Sequence, residues 1–229
     1  MIFEVECESR VGQKSKKYTC DNQDAFSFKT NDRWCCLCVA DGAGSKKHSS
    51  LGAQWLTHDV SEYLIENACA LINNDEVQIR EKVVSCIQHS LDKTVAIRGV
   101  NYSDLSSTLI CILTDGEKCV LLHIGDGVIL TERRGVLNVL SFPRNGVSKQ
   151  STALTTMDTL ETHLRIRKEL CEDMDIIWVM TDGAMYEVFQ ENYGLNGEKL
   201  TMPMIRAKLA AGHSDDATYG YIQWRNEDE

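Results

Sequence analysis

The stretch Cys36–Lys47, CLCVADGAGSKK, runs from an apolar strand directly into an Asp-Gly pair and a loop of small residues. Asp and Gly suit tight turns for local reasons, so Asp41-Gly42 taken alone predicts no more than a turn. The same order of residue types recurs twice downstream. DIIWVMTDGAMYEV (175–188) sets the apolar run Ile176 to Met180 before Thr181, Asp182 and Gly183, and CVLLHIGDGVIL (119–130) sets Val120 to Ile124 before Gly125, Asp126 and Gly127. A buried strand fixes the place of the residue at its end, and a glycine beside it lets the backbone turn or approach a ligand closely. Three such ends can bring carboxylates together, the donor set that hard divalent cations take.

The 229 residues suffice for one sizeable domain with a full core, and a single continuous domain over 1–229 is expected. Against 34 Asp plus Glu stand 24 Lys plus Arg, a formal charge of -10 that argues against general binding to nucleic acid or anionic membrane. No apolar run reaches the length of a membrane span, and MIFEVECESR lacks the layout of a signal peptide, so a cytoplasmic protein is expected. Of ten cysteines, Cys35, Cys36, Cys38, Cys111 and Cys119 lie in apolar, strand-like runs where a thiol acts as a small hydrophobe. The Cys35-x-x-Cys38 spacing has no second Cys or His pair to complete a zinc finger, and the expectation is buried, reduced thiols in a reducing compartment.

The patterning predicts strands near 2–9, 25–29, 34–40, 106–114, 118–124, 127–132, 160–167, 174–180 and 217–224. Between the third and fourth lie two helical patterns. One, at 48–68, has Leu56, Val60, Tyr63, Leu64 and Ala68 on one face and Ser49 or Ser50 available as a cap; the other, at 76–98, repeats Val84, Ile87, Leu91 and Val95. Shorter helices are expected after Gly183 and near 202–211. Strands in hairpin-like succession with helices gathered in pairs indicate an α+β layered fold. The Ser/Thr-rich segment 141–159 reads either as a solvated loop or as a flap beside a site.

Two further acidic positions follow the pattern: Asp24 in DNQDAFSF, before a strand, and Asp215 with Asp216 in GHSDDATYGYIQW, before the last one. With these in place the chain resembles the metal-dependent, type 2C serine/threonine protein phosphatases, and most of all their compact bacterial branch. The resemblance rests on NQDAF, VADGAGS followed by Gly52-Ala53, SSTLICIL, LLHIGDG, WVMTDG and SDDATYGYI, in the family's order and over nearly the whole chain. It implies a four-layer αββα sandwich in which two antiparallel sheets face each other between helix pairs. It also implies two Mn²⁺ or Mg²⁺ ions at one end of the sheets. Carried over by motif, Asp41 would bridge both ions, the Gly42 carbonyl and Asp24 would serve one, and Asp182 and Asp215 the other. Asp126 fits a nearby position that supports the cluster or takes an additional, weaker ion.

The chemistry such a centre supports is independent of the name. Ions about 3.5–4 Å apart lower the pKa of a shared water, and the hydroxide can attack phosphorus in line without a protein nucleophile. A phosphate also needs positive charge, and the family's usual Arg before the first acidic motif is absent at its usual spacing. Lys16 or Lys17 is the expected phosphate contact and, with Asp41 and Asp182, completes the expected catalytic set; Lys14, Lys46 and His48 are further candidates for phosphate or substrate contact. Ala43 stands where some relatives carry His, and Gly127 where many carry Ser followed by Arg. The expected activity is hydrolysis of phosphoserine and phosphothreonine in proteins, with a phosphoprotein substrate and a cognate Ser/Thr kinase as partners in signalling. The alternative is a catalytically weak or inactive regulatory module of the same fold that binds a phosphoprotein or kinase; a phosphatase for small metabolites is a third reading.

Overall fold

The computed structural model describes residues 1–17, 21–143, 152–174, 176–189, 195 and 199–225. In chain order the strands are β1 (Ile2–Arg10), β2 (Ala25–Thr30), β3 (Cys35–Ala40), β4 (Leu109–Thr114), β5 (Lys118–Ile124), β6 (Val128–Arg133), β7 (Val136–Ser141), β8 (Arg165–Leu170), β9 (Ile176–Met180) and β10 (Ala217–Arg225). The helices are α1 (Gln13–Lys17), α2 (Ser49–Glu66), α3 (Ala68–Asn73), α4 (Glu76–Arg98), α5 (Leu160–His163), α6 (Asp182–Val188) and α7 (Met202–Ala210).

Two antiparallel sheets form, in the orders β1-β10-β9-β6-β7 and β2-β3-β4-β5-β8. β3 explains why the central strands read as unbroken apolar runs: both of its faces are covered. Cys35, Leu37 and Val39 point between the sheets, where they meet Ile177, Val179 and Ile222 of the other sheet. Cys36 and Cys38 point the other way, into a core shared with Leu56, Val60 and Leu64 of α2 and Val84, Ile87 and Leu91 of α4. The outer face of the β1-β10-β9-β6-β7 sheet, with Trp178 and Tyr219, is covered by Met185 and Val188 of α6 and Ile205 and Leu209 of α7. Each fully buried aliphatic side chain contributes roughly 1.5–3 kcal/mol. The result is the expected αββα sandwich. Because Cys35 and Cys38 lie in different cores, their spacing cannot bring two thiols to one metal. The nine cysteines among the described residues are free thiols.

α4 begins at a capping box, with Asp75 accepting from Gln78 N at 2.8 Å, and ends where Gly99 adopts the left-handed conformation. The helix expected over 48–68 divides into α2 and α3 at Asn67, whose side-chain amide donates to Tyr63 O. Neither Ser49 nor Ser50 caps α2. His48 holds the cap position without a side-chain bond, while Ser49 Oγ donates to Lys46 O and accepts from Gln23 Nε2 at 2.8 Å.

Three local expectations change. The strand expected at 160–167 is a helical turn, α5, followed by β8, because Leu160 tucks into the helix-side core and pairing with β5 places Ile166 opposite Leu122. β7 is an additional strand, joined to β6 by Arg134 and Gly135, both at positive φ, the signature of a tight two-residue hairpin. α1 is additional as well. Of the 141–159 segment, residues 144–151 lie outside the described residues. No helix among the described residues is long and apolar enough to cross a membrane.

Candidate metal centre

Three strand ends meet at one end of the sandwich. Asp41 follows β3, and its backbone is clamped on both sides: Asp41 N donates to Thr108 Oγ1 at 2.9 Å and Thr108 N donates to Asp41 O at 2.8 Å. Gly42 N donates to Gln23 O at 3.1 Å, and a Cβ on Gly42 would lie 2.6 Å from that same oxygen. Asp126 follows β5 after Gly125, whose φ of +115° is a conformation glycine tolerates and other residues do not. Asp182 opens α6 after β9, where Thr181 N donates to Thr218 O at 2.9 Å. Carboxylate oxygens of Asp41, Asp126 and Asp182 all lie within 4.8 Å of one another.

Asp24 stands behind this trio. It is buried, with Oδ2 accepting from Thr181 Oγ1 at 2.9 Å and Oδ1 without a hydrogen-bond partner among the described residues. Burial pushes its carboxyl up to about 7, against the pull of Thr218 and Thr181. Burial, together with the charges of Asp24 and Asp182, holds the Asp41 carboxyl well above the usual range. Like charges concentrated in a desolvated place, with a buried oxygen left unpaired, match what a hard divalent cation neutralises. The donor set therefore fits Mn²⁺ or Mg²⁺.

The adjacent aspartates before β10 divide their roles. Asp216 is buried and structural: Oδ1 accepts from Gly12 N at 2.7 Å, and Oδ2 accepts from Gln23 N at 2.8 Å and Ser15 Oγ at 3.1 Å. It thereby ties the loop after β1 to the approach to β2. Asp215 is exposed and accepts from Lys14 Nζ at 2.7 Å. Lys14, Gln23, Asp41, Gly42 and Asp215 line one cleft of about 430 Å³, and Asp216 forms part of its wall. The hydrogen bond to Asp215, with smaller contributions from the charges of Asp182 and Asp41, raises the Lys14 pKa.

Among the described residues, Lys14 is thus the cation that lines the cleft beside the acidic cluster. Lys16 and Lys17 are exposed elsewhere on α1 and do not belong to this lining. The phase of α1 decides this, because Gly12 sits where a Cβ would be 2.3 Å from the Asp215 carbonyl carbon, and Ser15 is turned inward to Asp216. Lys46 and His48 flank the start of α2 and are likewise absent from the lining. Two contributors carry no signal of their own in the sequence. Thr181 is legible only as the residue before Asp182. Thr152, which donates to Asp126 Oδ2 at 2.8 Å, stands in a Ser/Thr-rich stretch where nothing distinguishes it from its neighbours.

The protein phosphatase 2C family model matches residues 11–213, ending just before Asp215. No curated protein matches the chain in sequence. Among solved structures, the S. agalactiae serine/threonine phosphatase superposes with a TM-score of 0.74 at 16% identity, covering 98% of this chain and 100% of that one. Serine/threonine phosphatase Stp1 from Staphylococcus aureus gives 0.71 at 13% identity, over 99% and 96% of the two chains. The Mycobacterium tuberculosis serine/threonine phosphatase PstP/Ppp gives 0.60 at 16% identity, over 99% and 100%. These likenesses carry the fold, and the family model covers most of the sequence: the chain belongs to the protein phosphatase 2C family.

Proposed function

We propose that this single-domain chain is a metal-dependent phosphoric monoester hydrolase acting on phosphoserine and phosphothreonine in proteins. The observation that carries the reading is the convergence of Asp41, Asp126 and Asp182 at rigid strand ends, with Lys14 in the adjoining cleft. Asp41, the Gly42 carbonyl, Asp24, Asp182 and Asp215 would hold two Mn²⁺ or Mg²⁺ ions, with Asp126 at a supporting or third position. Bound there, the ions would supply a water acidified to near neutral pH and charge neutralisation for in-line attack at phosphorus.

The chain's own residues supply the rest. The backbone clamp on Asp41 and the bond that ties Thr181, just before Asp182, to Thr218 fix the chain at both carboxylates before any ligand arrives, so little reorganisation is needed. Lys14 would draw a phosphoryl oxygen into the cleft as a point charge, without the bidentate fork of an arginine. The open cleft suits a phosphorylated side chain carried on a protein. A phosphoprotein substrate and a cognate Ser/Thr kinase, acting in cytoplasmic signalling, complete the reading. Phosphate release from a phosphothreonine peptide, measured with Mn²⁺, with Mg²⁺ and after chelation, tests it beside Asp41→Asn. Metal-dependent release lost in the variant is expected. A folded parent protein that releases nothing with either ion would overturn it in favour of a phosphoprotein-binding module.

A further inference from the structure

We infer that Thr152 is a positioning residue for the cation centre, setting the affinity of its Asp126 corner through the hydroxyl that holds that carboxylate. The inference rests on the metal-centre reading above.

Thr152 Oγ1 donates to Asp126 Oδ2 at 2.8 Å, so one oxygen of this buried carboxylate is engaged by a hydroxyl while Asp126 still reaches within 4.8 Å of Asp41 and Asp182. The chain on each side of that bond is tied down. On the Asp126 side, Gly125 presses against Thr108, where a Cβ would approach to 2.6 Å, and Gly125 O accepts from Arg165 Nη2 at 3.1 Å. On the Thr152 side, the chain three residues on is bound to the strand entering β4: Thr155 N donates to Ser107 O at 2.9 Å and Thr155 is fully buried. Ser106 Oγ and Thr156 Oγ1 lie 2.5 Å apart, a second tie to the same strand. Ser107 and Thr108 run antiparallel past Gly42 and Asp41. The hydroxyl and the carboxylates it serves are therefore held by one short piece of backbone.

A hydroxyl fixed in this way restricts rotation of the carboxylate and keeps it aimed at the cluster. Partners of this kind, one bond removed from a ligand, typically change metal affinity 10- to 100-fold when removed. Thr152 makes no contribution to the charge count, so its effect is confined to orientation. Asp41 has no comparable dependence on it, since its backbone is clamped by Thr108, and the chain before Asp182 is tied at Thr181 to Thr218.

Calorimetric titration of the full chain with Mn²⁺ alone tests this, with Thr152→Val, Thr152→Ser, Asp126→Asn and the double variant Thr152→Val/Asp126→Asn, each checked for folding by thermal melting. We expect Thr152→Val to weaken the Asp126-dependent binding step about tenfold, Thr152→Ser to restore it, and Thr152→Val to add nothing once Asp126 is Asn. If Thr152→Val disturbs folding, Thr152→Ala serves in its place. An isotherm for either hydroxyl-free variant that matches the parent, or an undiminished loss in the Asp126→Asn background, would overturn the inference while leaving the metal centre intact. A parent chain that binds no Mn²⁺ would overturn the metal-centre reading and this inference with it.

Discussion

The dipeptide Asp-Gly ends strands at both ends of the sandwich, with opposite consequences. At one end stand Asp41-Gly42, Asp126-Gly127 and Asp182-Gly183. At the other, Asp115-Gly116 joins β4 to β5, since Thr114 pairs with Cys119 there while Leu109 pairs with Ile124 at the metal end. Asp115 Oδ1 accepts from Glu117 N at 3.1 Å and Lys118 N at 2.9 Å, and Oδ2 lies 3.9 Å from Arg33 Nη2, so its carboxylate is engaged by its own turn and a neighbouring cation. The other three carboxylates are brought to one another across two sheets, and Asp24 and Asp41 have raised pKa values because burial is compounded by like charge. A strand followed by Asp-Gly therefore specifies where a carboxylate stands, and the company it keeps decides what it does.

The sharpest way to break that contrast is to remove charge at each end. Asp41→Asn should lower Mn²⁺-dependent phosphate release by about 1000-fold or more, at the upper limit of losing one preorganised stabilising group. Asp115→Asn should stay within about twofold of the parent in the same assay. Comparable losses from both would end the distinction.

Stability sharpens the same contrast in a third aspartate. Asp216→Ala strips the partner from Gly12 N, Gln23 N and Ser15 Oγ, and should lower unfolding free energy by about 3 kcal/mol in urea denaturation. Asp115→Ala, which frees two backbone groups of its own turn, should cost about 1 kcal/mol. An Asp216→Ala midpoint equal to that of Asp115→Ala would show that the buried aspartate does not organise the metal end.

The cation beside the cluster gives a smaller effect. Lys14→Gln should reduce kcat/KM for a phosphopeptide about tenfold, equivalent to withdrawing roughly 1.4 kcal/mol of transition-state binding, with Lys16→Gln unchanged. If Lys16→Gln carried the loss, the phase of α1 would be wrong.

The smallest effect lies behind the metal end and is read against pH. His123 is buried with Nδ1 2.7 Å from Ser141 Oγ, and burial, reinforced by the Arg165 charge, holds its imidazole well below 6.5. The unfolded chain therefore binds this proton more readily. The stability at stake is present above about pH 6.5 and is lost as pH falls from there toward the folded-state value, with a slope of at most about 1.4 kcal/mol per pH unit. His123→Gln should flatten that part of the profile in urea midpoints taken from pH 7.5 to 5. Parallel profiles for the two proteins would mean that the buried ring is not the group titrating.

Much of the molecule is written locally. The periodicity of α4, the unbroken apolar runs of β3, β4 and β5, and the glycine beside each site carboxylate follow from nearest-neighbour preferences and from covering both faces of a strand, so they are legible in one dimension. β7 escaped because an edge strand beside an Arg-Gly turn carries a weak pattern, and β8 was displaced because only pairing with β5 fixes its register. What the tertiary structure alone decided are choices between like residues. Lys14 was selected over Lys16 and Lys17 by the rotation of α1, Asp215 was separated from Asp216 by which of them turned toward Gly12, and Thr152 was singled out from its polar stretch by the place where that stretch meets Asp126. The sequence by itself determined that Asp41, Asp126 and Asp182 each follow an apolar strand. Which of them meet depends on contacts between positions more than a hundred residues apart in several cases, and no local preference encodes those distances.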